Sequence, residues 1–237
     1  MPNIEHCDLS SLASVRVAAS AVAPRYPKGI QCLINNAGVV GCAPSLTVDG
    51  YEMTFGTNVV GHFLLTELLL PSLIAGGTVT EPSRVINVTS EAHQWAKGGM
   101  DPKKYRSLEG YNAIQIYGYS KLGNILHARA LHLRMVEKKH NVVAFSLHPG
   151  MAPSSDAARH YNAVMRVIAK VVLGPFSKSI PQAAATQTLC AMAPMGPDHL
   201  VSGSYYMDCQ VAVPWPDGRD DVKATEFYED LYRRTCA

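Results

Sequence analysis

The sequence predicts an α/β fold with a doubly wound parallel sheet, formed as one domain over residues 1–237. Short β-branched runs alternate with longer helical patterns, the short runs are almost continuously apolar, and no linker divides the chain. A strand that helices cover on both faces needs no alternation of polar and apolar residues. Strands and helices alternating at this spacing are typical of parallel sheets with crossovers of one hand.

Three runs are predicted as strands, and helical patterns lie around them. The strands are residues 31–35, 84–89 and 142–147. The helical patterns cover residues 11–23, 51–70, 116–138 and 160–173. Proline and glycine gather after position 149 and over residues 193–197, which predicts loops there.

The composition excludes several classes of protein. With 47% hydrophobic and 17% charged residues, the chain buries enough apolar surface to exclude disorder as its main state. The net charge is +2 and the basic residues are scattered, so no nucleic-acid partner is expected. No spacing of histidine, cysteine and carboxylates predicts a metal site.

The sequence also predicts a cytoplasmic, soluble protein. Six cysteines without a C-x-x-C pair are typical of reduced intracellular thiols. The N-terminus has no basic region before its apolar part, so no leader peptide is expected. The most apolar stretch, residues 63–79, contains Glu67 and Pro71 and is predicted to be a buried helix and not a membrane span.

Tyr117 and Lys121 are the first candidate catalytic pair. They stand four residues apart in a helical pattern, so their side chains share a face. A nearby ammonium favours the phenolate and makes a tyrosine useful in acid–base chemistry. Tyr119 points elsewhere and is the weaker candidate. Because a Tyr-x-x-x-Lys pair is common by chance, it needs support from the rest of the chain.

That support comes from residues that follow the predicted strands. Asn35-Asn36-Ala37-Gly38 follows the first strand, Ser90 ends the second, and Pro149-Gly150 comes after the third, while Asn58 lies in the helix before the Ser90 strand. Open parallel sheets bind ligands outside the carboxyl ends of their strands. Small residues at such ends allow a ligand to approach the backbone.

In this order and spacing, the motifs resemble those of the classical short-chain dehydrogenase/reductase family, in particular its retinol-dehydrogenase-like branch and the oxidoreductase domains attached to WW domains. The resemblance implies a Rossmann-type sheet and an NAD(P)-dependent oxidoreductase. Tyr117 would be the general acid/base, Lys121 would lower its pKa and bind the nicotinamide ribose, Ser90 would hold the substrate oxygen, and Asn58 would position a water linking Lys121 to solvent. The implied cofactor contacts are Asp8, Asn35, Ala37, Gly38, Tyr117, Lys121, Pro149 and Gly150.

The sequence departs from the family pattern at its N-terminus. The family begins with a strand, a turn of the type T-G-x-x-x-G-x-G and a helix, and this sequence contains no such pattern. The expectation is therefore an N-terminally truncated domain in which the segment around Asp8 corresponds to the family's third strand and residues 31–35 form an open edge. The residue that chooses between NAD and NADP lies in the absent part, so the preference stays open.

Three functions follow from these residues. The first is oxidoreduction of a small alcohol or carbonyl substrate, including lipophilic ones such as a retinoid or steroid. The alternative is a catalytically silent protein that acts through protein contacts. The third is an unrelated Rossmann-type enzyme such as a methyltransferase, which leaves Tyr117, Lys121 and Ser90 unexplained.

Residues 160–173 are expected to cover the substrate or to touch a membrane without spanning it. The apolar helices at 51–70 and 116–138 suit a homodimer interface.

Overall fold

The computed structural model describes residues 3–150, 178–196 and 199–236. Within them lies one sheet of five strands in the order β1-β2-β3-β4-β5. The strands are β1 (Cys32–Asn35), β2 (Ser83–Val88), β3 (Val142–His148), β4 (Tyr205–Met207) and β5 (Gln210–Ala212). The first four are parallel and β5 is antiparallel to β4. The predicted α/β fold is confirmed, and each of the three predicted strands agrees with the structure to within one residue at either end.

The helices cover both faces of this sheet. They are α1 (Leu12–Val22), α2 (Met53–Gly76), α3 (Ala113–Glu137), α4 (Ile180–Met192) and α5 (Asp221–Thr235). Short 3₁₀ turns occupy Ala23–Arg25, Glu91–Trp95 and Pro216–Arg219. Three of the predicted helical patterns are confirmed. The pattern at 160–173, with its two expected roles, lies outside the described residues.

Helix α2 continues past the end at residue 70 that its pattern predicts. Pro71 lies inside the helix, and Leu73 beyond it is fully buried in the cluster between the sheet and α3. Packing of the last turn therefore outweighs the hydrogen bond that the proline cannot make. By length and composition α2 could cross a membrane, but 56% of its apolar window is buried against other elements of the chain. This burial is typical of a core helix.

The segment before α1 differs from its expected strand. Residues 3–8 have no regular secondary structure, and a turn begins at Leu9. Both the amide and the hydroxyl of Ser10 donate to the Asp8 carboxylate, at 2.9 and 2.8 Å. This local capping competes with extended backbone pairing. Among the described residues β1 pairs only with β2, so it is the edge strand that the sequence predicts.

Helix α5 covers the face that α2 and α3 turn away from the sheet. Phe227, Tyr228 and Leu231 of α5 lie in one buried cluster with Phe55 and Phe63 of α2. The rings of Phe63 and Tyr228 meet edge to face with centroids 5.0 Å apart. Helix α5 thus covers much of the apolar surface that the sequence analysis assigns to a homodimer interface. The homodimer remains a prediction.

Candidate active site

The carboxyl ends of β1, β2 and β3 lie side by side because these strands are parallel. The segments that leave them are residues 36–39 after β1, residues 89–90 after β2, and residues 149–150 after β3. The predicted motifs therefore meet at one edge of the sheet. This is the edge at which open α/β sheets bind their ligands.

Lys121 is buried at this edge, with only 6% of its surface exposed. Its Nζ donates to the carbonyl oxygen of Val88 at 3.2 Å, where β2 ends. Thr89 ties the same helical turn from the other side, because its hydroxyl donates to the Lys121 carbonyl at 2.6 Å. Burial lowers the pKa of Lys121 to about 8. The ammonium is thus hydrogen-bonded to the backbone of β2 and gives up its proton at a lower pH than an exposed lysine does.

Tyr117 lies one helical turn before Lys121 and is half-buried. The Lys121 ammonium lies 5.5 Å from the centroid of the Tyr117 ring, so the two side chains share a face of α3. Tyr119 faces a different region, where its hydroxyl donates to the Lys97 carbonyl at 3.1 Å and accepts from Lys104 Nζ at 2.6 Å. The structure brings together the pair that the spacing indicates.

Asn58 is fully buried and clamps the loop that leaves β1. Its Nδ2 donates to the Val39 carbonyl at 2.9 Å and to the Ser120 hydroxyl at 3.1 Å, and its Oδ1 accepts from the Val39 amide at 2.8 Å. The side chain thereby uses three of its four hydrogen-bonding positions to join the loop to α3. Its backbone carbonyl accepts from Nδ1 of His62 at 3.0 Å.

Gly38 passes close to this clamp. A Cβ at Gly38 would lie 3.1 Å from Asn58 Oδ1 and 3.8 Å from Lys121 Nζ. A larger residue would therefore fill the space beside the ammonium. Ala37 is exposed on the same loop, and Asp8 is exposed in the turn before α1.

Asn35 faces the interior of the protein. It is 3% exposed, and its Nδ2 donates to Thr66 Oγ1 at 3.0 Å and to Asn87 Oδ1 at 2.8 Å. The side chain thus joins β1 to α2 and β2. Its Oδ1 is buried and has no hydrogen-bond partner among the described residues.

Ser90 begins the short turn Glu91–Trp95. Its hydroxyl oxygen accepts from the Ala92 amide at 3.2 Å, which leaves the hydroxyl hydrogen able to donate elsewhere. On the other side of the edge, Gly150 has φ +88°, which favours glycine. A Cβ there would lie 2.5 Å from Cδ of Lys178. Gly150 therefore lets the Lys178 side chain pack directly against its backbone at this edge.

The structure adds polar groups around this edge that the sequence analysis did not assign to the site. Nε2 of buried His148 lies 3.6 Å from the Glu91 carboxylate, so the loops after β2 and β3 are linked. Burial lowers the pKa of His148. Lys178 pairs with Asp208 beside Gly150. Glu91 directly follows Ser90, and His148 directly precedes Pro149, so their adjacency to the motifs is the signal that could have identified them.

Asn87 and Asn124 extend the polar network behind Lys121. Asn87 Nδ2 donates to the Asn124 carbonyl at 3.1 Å, and Asn124 Nδ2 donates to the Val88 carbonyl at 2.9 Å. The residues that carry this network lie far apart in the chain, so no local pattern reveals it. Over residues 3–150, 178–196 and 199–236, no group of three or more histidine, cysteine or carboxylate side chains is placed to hold a metal ion.

Comparisons with known proteins agree on one family. A family model described as short chain dehydrogenase matches residues 4–102. A chloroplastic short-chain dehydrogenase, TIC 32 A of Brassica napus, is 38% identical over 225 residues, which cover 94% of this chain and 68% of the relative. Human retinol dehydrogenase 13 is 35% identical over 98% of this chain and 68% of its own length. The NADP active-site complex of Pseudomonas aeruginosa RhlG is 27% identical with a TM-score of 0.60, over 85% of this chain and 73% of that one.

Proposed function

Because the chain belongs to the short-chain dehydrogenase family, a family of NAD(P)-dependent oxidoreductases, we propose that Tyr117, Lys121 and Ser90 of this chain interconvert an alcohol and a carbonyl. The observation that carries this proposal is the position of Lys121. Its buried ammonium lies 5.5 Å from the centroid of the Tyr117 ring and next to the backbone of Gly38. One cation can thus serve both a proton-transferring phenol and a ligand lying along the edge of the sheet.

The residues present fit the nicotinamide end of such a cofactor. The space that a Cβ of Gly38 would fill, beside the Lys121 ammonium, allows a ribose to approach. Gly150, with its positive φ, lets the side chain of Lys178 lie directly against the backbone of the opposite wall. When bound, the cofactor supplies or accepts the hydride. We assign its contacts to Asp8, Asn35, Ala37, Gly38, Tyr117, Lys121, Pro149 and Gly150, with Asn35 contributing through its backbone.

Tyr117 would exchange a proton with the substrate oxygen at its phenolic oxygen. The Lys121 ammonium favours the phenolate electrostatically. This interaction would move the pKa of the Tyr117 hydroxyl toward the pH at which the enzyme works. Lys121 itself has a pKa of about 8, so most of it is charged at neutral pH. As the pH rises through 8, the ammonium loses its proton and this support for the phenolate weakens.

Ser90 and Asn58 would orient the reacting groups. The Ser90 hydroxyl oxygen accepts from the Ala92 amide, and its hydrogen can donate to the substrate oxygen. Asn58 holds the loop of Gly38 at a fixed distance from Lys121 through three hydrogen bonds to Val39 and Ser120. Its role here is to keep the loop in position, in addition to the water-binding role that the family resemblance implies.

The substrate is a small molecule with an alcohol or carbonyl group. A lipophilic substrate, such as a retinoid or steroid, is supported by the relatives that are named retinol dehydrogenases. The predicted cytoplasmic location remains a prediction, since one relative is chloroplastic.

A thermal-shift titration with NADH and NADPH tests the proposal. A ligand at about 100 times its Kd stabilises the folded state by roughly 2.7 kcal/mol, which raises the Tm by several degrees for a domain of this size. We expect a shift with at least one of the two, followed by oxidation of that cofactor in the presence of all-trans-retinal or a steroid ketone. A cooperative melt that neither cofactor shifts contradicts the proposal and supports the silent alternative.

A further inference from the structure

His93 is a buried histidine in the turn that Ser90 begins. Only 1% of its surface is exposed. Its Nδ1 lies 2.6 Å from the Ser90 carbonyl oxygen, and its Nε2 lies 3.1 Å from the amide nitrogen of Trp215. The two ring nitrogens therefore join backbone groups that are 125 positions apart in the sequence.

These two partners determine the protonation state of the ring. A carbonyl oxygen only accepts, so Nδ1 must carry the hydrogen that it donates to Ser90. A backbone amide only donates, so Nε2 must offer its lone pair to Trp215. The neutral tautomer with hydrogen on Nδ1 satisfies both partners. The imidazolium would place two N–H groups against each other at Trp215.

The surroundings of His93 favour this neutral form. Burial lowers its pKa, and the opposing effect of the Glu91 carboxylate and of the bond to Ser90 is smaller. Within the described residues, His148 also interacts electrostatically with His93, and the ring of Tyr205 meets that of His93 edge to face with centroids 5.3 Å apart. The hydroxyl of Tyr205 is buried without a partner among the described residues.

The contact connects the turn of Ser90 to the segment that precedes α5. Ser90 caps the 3₁₀ turn that contains His93. Trp215 precedes the turn Pro216–Arg219, which leads directly into α5. We propose that His93, as its Nδ1–H tautomer, is a positioning residue that holds the Ser90 turn at a fixed distance from the segment before α5. The catalytic consequence rests on the proposed function, whereas the tautomer and the contact do not.

Position 215 offers a matched pair of variants. Trp215 has φ −49° and ψ 148°, values close to those of a proline. Trp215→Pro removes the amide hydrogen that His93 accepts, together with the side chain. Trp215→Ala removes the same side chain but keeps the amide hydrogen. The difference between the two variants therefore reports on this one hydrogen bond.

The first readout is the tautomer, measured by ¹⁵N NMR of the imidazole nitrogens with the Ser90 carbonyl and amide shifts. We expect the wild type and Trp215→Ala to show the neutral Nδ1–H form. In Trp215→Pro we expect the Ser90 shifts to move and the tautomer ratio to change. A wild-type ring with hydrogen on Nε2, or identical Ser90 shifts in the two variants, overturns the inference even if the protein shows no turnover.

The second readout is turnover with the cofactor and carbonyl probes above. We expect kcat of Trp215→Pro to fall up to about 10-fold below that of Trp215→Ala, the effect of one buried hydrogen bond, with the KM for the cofactor unchanged. His93→Asn keeps a donor at the position of Nδ1 and should retain more kcat than His93→Gln, which places its amide near the position of Nε2. Equal kcat for all four variants would show that the contact is structural only. Absence of turnover in the wild type as well would contradict the proposed function and leave the tautomer result to decide the inference.

Discussion

The two ends of the proposed cofactor site are held in different ways. At the nicotinamide end, Lys121 and Asn58 are buried, and their hydrogen bonds reach Val88 and Val39, which lie 33 and 19 residues away in the sequence. At the other end, where the family resemblance implies that Asp8 contacts the adenine, Asp8 is exposed, and its carboxylate accepts from Ser10 two residues on. One end is built by tertiary packing and the other by a local turn.

The difference shows which end of the site lowers the stability of the fold. Moving the pKa of Lys121 from 10.5 to about 8 corresponds to a destabilisation on the order of 3 kcal/mol at neutral pH. A buried apolar side chain would avoid this cost, so stability does not explain the lysine. Asp8 carries no comparable cost. We therefore expect substitutions at the buried end to change catalysis strongly and substitutions at the exposed end to change little.

The largest effect should come from Tyr117→Phe, which removes the phenolic oxygen and leaves the ring. We expect kcat to fall by about 10³-fold, the size of a general acid–base contribution. Cofactor affinity should stay within about threefold, because the ammonium and the glycine loop are unchanged. Steady-state kinetics and the thermal-shift titration measure the two quantities. Retention of wild-type kcat would remove Tyr117 from the mechanism.

Lys121→Met tests directly how much the buried ammonium destabilises the fold, since methionine fills similar space without a charge. We expect kcat to fall by about 10²-fold or more, while the free energy of unfolding at neutral pH rises by about 1–2 kcal/mol. In the wild type, the destabilisation caused by burying the ammonium should decrease as the pH rises from 8 to 10.5. In this range the folded chain has lost the lysine proton and the unfolded chain still holds it, so the free energy of unfolding increases with pH. Denaturant melts of both proteins across this pH range provide the measurement. A variant that is less stable than the wild type would show that Lys121 contributes to folding.

Acid should lower the free energy of unfolding through His62, a buried histidine that donates to the Asn58 carbonyl. Burial lowers the pKa of His62 from 6.5 to about 4, and that of His127 to about 3. The unfolded chain therefore binds protons that the folded chain does not, and stability falls as the pH drops below 6.5. For His62 the loss by pH 4 is roughly 3 kcal/mol. His62→Asn keeps a donor toward Asn58 without titrating, so its denaturant melts should depend less on pH in this range. An equal pH dependence in the variant would assign the acid sensitivity to other groups.

The smallest effect is expected at the exposed end. Asp8→Ala removes a carboxylate that accepts only from Ser10 among the contacts of the described residues. We expect stability to change by less than about 0.5 kcal/mol and cofactor affinity by less than about fivefold. Calorimetric titration with the preferred cofactor measures the second value. A hundredfold loss of cofactor affinity in Asp8→Ala would show that the exposed end contributes as much to binding as the buried end, against the difference expected here.

Much of the fold and the central pair of the site were predictable from local patterns. Apolar runs located β1, β2 and β3, and helical spacing placed Tyr117 and Lys121 on one face of α3, because both signals depend on neighbours within one or two turns. The short strands β4 and β5, with three residues each, were missed because so few residues carry no periodicity. The expected strand at Asp8 was wrong because its serine neighbour stabilises a turn.

The sequence by itself determined which residues stand at the ends of the strands and which share a helix face. Only the tertiary structure decided how these residues are connected: that Asn58 locks Val39 and Ser120, that Asn35 turns inward to Asn87, and that His93 reaches Trp215. The physical reason is that hydrogen bonds between groups distant in the chain form only after the sheet and helices have packed. Burial, which lowers the pKa values of Lys121 and His62, likewise exists only in the packed molecule.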